Sequence, residues 1–116
     1  MKKIFFIFIF FFYFPNSFAN EIKFEKILGK LNQPWSLSFI DEKNILFTEK
    51  SGKLYHYNLS SKKKIEINHN LSVLEVGQGG LLDVLYHNND VYVSYSENRG
   101  NWRSSTSVGK GKFNIN

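Results

Sequence analysis

The chain has 116 residues, no cysteine, and 15 basic against 10 acidic side chains, for a net charge of +5. Lack of cysteine excludes disulfides and thiolate metal sites. Without Lys2 and Lys3 the balance is 13 basic to 10 acidic, or +3. That charge is ordinary for a soluble domain, and no basic helix or aromatic RNA-binding motif accompanies it, so no nucleic-acid partner is expected.

Lys2-Lys3 precedes Ile4 to Phe14, eleven apolar or aromatic residues without a charge, and then Pro15-Asn16-Ser17-Phe18-Ala19. A basic start, an apolar run of this length and small residues at −3 and −1 predict a secretory signal peptide over residues 1–19, helical in its apolar run and cleaved after Ala19. Eleven residues fall short of the ~20 that span a bilayer. The alternative is an uncleaved amino-terminal membrane anchor. Cleavage would place the mature chain, residues 20–116, in the periplasm or outside the cell, with no further membrane attachment.

Beyond the signal, the sequence alternates with period two between turn residues, the pattern of half-buried strands. Ile22, Phe24 and Ile27-Leu28 predict a leading strand, and Gly29 to Gln33 a loop closed by Pro34. Trp35–Ile40 follows as a strand with Trp35, Leu37 and Phe39 on one face and serines on the other. Further strands are expected at Ile45–Glu49, Lys53–Tyr57 and near Lys64–Ile67, separated by the turns Asp41–Asn44, Ser51-Gly52 and Asn58–Lys63. The pattern then restarts, with strands at Leu81–Tyr86, Val91–Tyr95 and Ser104–Phe113.

Asn44–Thr48 aligns with Asp90–Ser94 at an offset of 46 residues. Four-stranded units at that period predict an all-β fold of β-propeller blades. The chain holds one full blade and three strands of a second, where a closed ring needs about four to eight blades. The expectation is therefore the amino-terminal part of a longer propeller, as a frameshifted gene or an incomplete sequence would leave it. One and a half blades should not fold alone, because too little apolar surface is buried to offset chain entropy.

The stretch with most chemical promise is Val76-Gly77-Gln78-Gly79-Gly80-Leu81-Leu82-Asp83-Val84. Three glycines at the mouth of a buried strand mark a tight turn or a close backbone approach. Gln78 between them can both donate and accept hydrogen bonds. On the residues alone, Gln78 is either a pocket residue or a turn residue satisfying loop amides. Asp83 interrupts an apolar strand and has no paired acid or base, which makes its role structural. His56, His69 and His87 lack partners at ligand spacing, so no metal site is expected. Lys62-Lys63-Lys64 reads as an exposed tip, and Gly109-Lys110-Gly111-Lys112 lacks the spacing of a phosphate loop. Trp102-Arg103 sits in an exposed loop. Asn58-Leu59-Ser60 and Asn70-Leu71-Ser72 match glycosylation sequons only formally.

Gln33-Pro34-Trp35-Ser36-Leu37-Ser38-Phe39, Phe47-Thr48-Glu49-Lys50-Ser51-Gly52-Lys53-Leu54 and Gly77-Gln78-Gly79-Gly80-Leu81-Leu82-Asp83-Val84 together resemble the soluble glucose/sorbosone dehydrogenases. These are aldose sugar dehydrogenases that use pyrroloquinoline quinone. Val91–Ser96 and Thr106–Phe113 continue the resemblance in the same order, across essentially all of residues 20–116. It implies a six-bladed propeller, exported to the periplasm, that oxidises the anomeric hydroxyl of an aldose to a lactone. It also implies calcium ions that hold the quinone, and a histidine base that takes the hydroxyl proton as hydride passes to the quinone.

Only Gln78 matches a functional position of that family, the glutamine lining the cofactor and sugar pocket. The base histidine, in a His-Gly-Gly-Arg-like stretch, has no counterpart here, nor do the basic clamp or the calcium ligands. No catalytic residue is expected within these 116 residues, and the chain alone should be inactive. The electron acceptor is left open. The rival reading is a non-catalytic exported propeller acting as a binding module, since fold does not fix function.

Overall fold

The computed structural model describes residues 20–115, so the predicted signal helix and its cleavage site lie outside the described residues. The described chain is all-β. Strands β1 (Pro34–Phe39), β2 (Asn44–Glu49), β3 (Lys53–Asn58) and β4 (Lys64–Ile67) form one antiparallel sheet in that order. Strands β5 (Leu81–His87), β6 (Asp90–Asn98) and β7 (Ser104–Lys112) form a second antiparallel sheet. This is the predicted sequence of one complete blade and three strands of the next. The 46-residue offset is real, because it superposes β2 on β6, the second strand of each sheet.

Turn chemistry fixes the hairpins. At the β5–β6 turn Asn88 and Asn89 both take positive φ, 50° and 66°, a pair of angles asparagine tolerates and a two-residue hairpin requires. Before β2, the Asp41 carboxylate accepts hydrogen bonds from the Lys43 amide (2.7 Å) and from Asn44 Nδ2 (2.9 Å), so the polar run closes on itself. Those bonds to the charged form, Lys43 first, hold the Asp41 carboxyl below its ordinary pKa.

The main core lies between the sheets and comprises Leu46, Leu54, Leu81, Val84, Val91, Val93 and Tyr95. A second cluster, Ile45, Phe47, Tyr55 and Tyr57, lies on the opposite face of the first sheet, with Leu28, Leu31 and Leu59 packed against it. Its Phe47 and Tyr55 rings stack with centroids 5.0 Å apart.

Two expectations change. The leading strand over Ile22–Leu28 does not form: no strand occurs between Asn20 and Gln33, and Ile22 and Phe24 are 74% and 92% exposed. Alternation alone gives a side-chain period, whereas a strand also needs a neighbouring edge to bond with. This segment instead drops Leu28 and Leu31 onto the second cluster. In β1 the two faces divide as the period dictates, but the serine face is the one turned toward the second sheet. Trp35, Leu37 and Phe39 remain exposed.

The seam between β1 and β5 is therefore polar. Ser38 Oγ accepts the Tyr86 amide at 2.9 Å, and Ser36 Oγ donates to the Asp83 carboxylate. The fully buried Thr48 hydroxyl accepts the Ser36 amide at 3.2 Å and donates to the Leu82 carbonyl at 2.5 Å. A register break between Leu81 and Val84 turns both of those residues inward and leaves Asp83 exposed on the bulge, where it also accepts the Val84 amide at 2.9 Å. Asp83 is thus a structural cap, as its lack of a catalytic partner suggested.

Candidate functional site

The chain from Val76 to Gly80 links the first sheet to the second and lies at the end where β2 finishes and β5 begins. Gly79 N–H donates to the Val76 carbonyl at 2.8 Å, closing a turn whose first inner residue, Gly77, has φ 58°. Gly79 and Gly80 are needed for closeness. A Cβ on Gly79 would stand 2.7 Å from Ser96 Oγ, and one on Gly80 would collide with the backbone carbonyl of Lys50. That approach lets Leu81 N–H donate to the Lys50 carbonyl at 3.1 Å, while Ser96 N–H donates to the Gly80 carbonyl at 2.8 Å. The loop is bonded to both sheets at once.

Lys50 completes the clamp. Its ammonium group donates to the Gly77 carbonyl, and its amide donates to the Gln33 carbonyl at 3.0 Å. Next to it the Glu49 carboxylate is buried at 4% exposure and accepts the Asn32 amide at 2.8 Å. Lys50 and Glu49 therefore tie three chain segments together at this rim. Sequence reasoning missed Lys50 as a site residue. Its only signal was its place in a Lys-Ser-Gly turn, which says nothing about where a flexible side chain reaches.

Gln78 stands exposed at the apex of this rigid turn, and among the described residues its amide makes no hydrogen bond. A carboxamide held on a fixed backbone, free to donate and accept, is suited to recognise a polar or anionic group.

The remaining candidates scatter. His56 is nearly covered at 9% exposure and contacts Asn44 Oδ1 through Nε2 at 2.9 Å. Asn44 Nδ2 donates to Asp41, so the Asn44 oxygen is the acceptor and His56 carries its proton on Nε2. Burial pushes the His56 pKa below its ordinary value, against a smaller opposing pull from Asp41. His69 Nε2 meets the Gly52 carbonyl at 2.6 Å, and His87 contacts Asn88; both are exposed. Lys62–Lys64 form the exposed β3–β4 tip, and Gly109–Lys112 lie within β7. Asn58 Oδ1 accepts the amides of Ser60 and Ser61, so the side chain at the first sequon is engaged in its own turn. Among the described residues no group of three or more His, Asp or Glu side chains is placed to hold a metal ion, and no helix is long and apolar enough to cross a membrane.

Comparison with known proteins gives this rim its context. Residues 31–116 match the glucose/sorbosone dehydrogenase family. Over 98 residues the chain is 31% identical to the aldose sugar dehydrogenase YliI of Escherichia coli (strain K12), covering 79% of this chain and 26% of that protein. A crystal structure of a glucose dehydrogenase superposes with a TM-score of 0.70 at 32% identity, over 76% of this chain and 27% of the other. The PQQ-bound form of an aldose sugar dehydrogenase from Streptomyces coelicolor shares the fold, with a TM-score of 0.67 at 18% identity over 78% of this chain and 27% of the other. This chain spans about a quarter of the length of these relatives. With its strand order, its glycine-rich loop and these matches in agreement, the chain belongs to the glucose/sorbosone dehydrogenase family.

Proposed function

We propose that this chain is the amino-terminal part of an exported quinoprotein sugar dehydrogenase that oxidises the anomeric hydroxyl of an aldose to a lactone. The observation that carries the reading is Gln78, presented without a partner on a glycine loop that Lys50 and both sheets hold rigid. Two relatives are named as aldose sugar dehydrogenases and one of them as PQQ-bound, which supports both the substrate class and the cofactor.

The residues present fit a share of such a site. Glycines 77, 79 and 80 bring the backbone close without side chains in the way, and the Gln78 amide offers both hydrogen-bonding senses to a carboxylated quinone or a sugar hydroxyl. When bound, pyrroloquinoline quinone supplies the electrophilic carbonyl that takes up the two electrons of the aldose. Within this chain the work is positional: Gln78 orients, Lys50 holds the loop, and the Leu81 amide fixes the strand behind it. The base that removes the hydroxyl proton and the calcium ligands belong to later blades in this reading, so residues 20–116 alone are inactive. Residues 1–19 direct export and are removed after Ala19.

The test is aldose oxidation by the full gene product, loaded with pyrroloquinoline quinone and read with a redox dye. Gln78→Ala should lower kcat/KM by about ten- to a hundredfold, the cost of one hydrogen bond to a charged group, without lowering thermal stability. Edman sequencing of the exported product should begin at Asn20. If the loaded wild-type protein binds sugar without oxidising it, the protein is instead a non-catalytic propeller module.

A further inference from the structure

The β6–β7 hairpin ends in Arg99-Gly100-Asn101-Trp102-Arg103. Gly100, Asn101 and Trp102 take φ of 74°, 51° and 61° in succession. Glycine and asparagine suit that left-handed region, and tryptophan does not. The tip is nonetheless fixed. Arg99 N–H donates to the Arg103 carbonyl at 2.8 Å, Arg103 N–H to the Gly100 carbonyl at 3.0 Å, and Gly100 N–H to Asn98 Oδ1 at 2.9 Å. This rigid, disfavoured backbone holds the Trp102 ring 83% exposed to water. Strain of that kind collects at ligand-binding positions.

Beside the ring lies an open hollow of about 390 Å³, bounded by Leu74, Asn98, Gly100, Asn101 and Trp102. It offers one aromatic plane, one aliphatic wall and two carboxamides, with no charged side chain in its lining. Asn98 spends its oxygen on Gly100 and keeps both N–H donors, while Asn101 can donate and accept. An electron-rich ring face takes weakly polarised C–H groups, and amides take hydroxyls. That combination fits a neutral polyhydroxylated ring.

Position links the hollow to the loop of Gln78. Asn98 N–H donates to the Ser72 carbonyl at 2.9 Å, Leu74 N–H to the Ser96 carbonyl at 2.8 Å, and Ser96 N–H to the Gly80 carbonyl at 2.8 Å. The connection from Ser72 to Gly80 therefore runs along the last residues of β6, and both features open at the same end of the sheet. The points at which the connection joins the strand, Ser96 and Asn98, are roughly 7 Å apart along β6.

We propose that the Trp102 hollow is a carbohydrate subsite that receives a distal ring of an oligosaccharide aldose whose reducing end lies toward Gln78. The ligand class rests on the sugar-dehydrogenase reading. The probes are maltotriose and glucose, titrated calorimetrically into the quinone-free full gene product. Trp102→Ala should lower the ratio of maltotriose to glucose affinity about tenfold, and Trp102→Tyr, which keeps a ring, less than threefold. Trp102→Gly relieves the left-handed strain, so it keeps the fold while removing the ring and should match Trp102→Ala. An unchanged ratio in the folded Trp102→Gly protein overturns the subsite and assigns the exposed ring to a protein partner. If quinone-dependent aldose oxidation persists in that outcome, the dehydrogenase reading stands and only the subsite falls. Wild-type protein that binds neither sugar overturns the subsite, and the dehydrogenase reading falls with it when the quinone-loaded protein also fails to oxidise an aldose.

Discussion

His56 shows how a single buried side chain ties this fold to pH. Its neutral form, donating from Nε2 to Asn44, is the one the packing favours, so its folded pKa lies below the ordinary 6.5. The unfolded chain takes up the proton more readily. Stability from this residue is therefore complete above about pH 6.5 and is lost as pH falls from there toward the folded pKa. Denaturant midpoints of the full gene product should drop between pH 7.5 and 5.5, and His56→Gln should flatten that drop. A wild-type midpoint as flat as that of the variant would remove the argument. The sequence placed His56 between Tyr55 and Tyr57 on a strand, but gave no sign that Asn44 on the neighbouring strand would be its partner. The tight turn from Val76 to Gly80 was legible because glycines announce backbone constraints locally. Lys50 was not, because its reach is decided by tertiary distance.

Among the elements, all seven strands follow from alternation and turn residues, β4 with both ends as expected and the others with ends displaced by at most three residues. The physical reason for the displacement is that pairing, rather than side-chain type, ends a strand: β6 runs on to Asn98 because β7 is there to bond with it. Period two also sorted β1 into serine and apolar faces without saying which face another sheet would cover. The answer is the hydroxyl face, and it makes Thr48 the hinge of the seam. Thr48→Val keeps the shape but strands the Leu82 carbonyl and the Ser36 amide in a buried place. It should destabilise the full gene product by about 1–3 kcal/mol, read as a lower urea midpoint at unchanged slope. Thr48→Ser, which restores the hydroxyl, should recover most of that loss. A Thr48→Val protein as stable as wild type would show that the seam is held by apolar packing alone.

At the scale of the whole molecule, both outer faces carry apolar residues without cover. Trp35, Leu37 and Phe39 are exposed on the first sheet, and Leu85 and Val108 on the second. Residues 20–116 expressed without any further blade should therefore unfold gradually in urea and bind hydrophobic dyes before they unfold. A sharp transition, coincident by circular dichroism and fluorescence, would contradict this. The all-β architecture and the order of the sheets were readable from the repeat. The polar joint between them was not, since it depends on contacts 47 and 48 residues apart. That joint is also directional. The β2–β3 turn of one unit offers the Lys50 carbonyl, and the first strand of the next offers the Leu81 amide. Both are backbone groups, so any substitution short of proline at either position leaves the donor and acceptor of the joint in place. A one-residue slip of β5 against β6 would turn its inward residues outward.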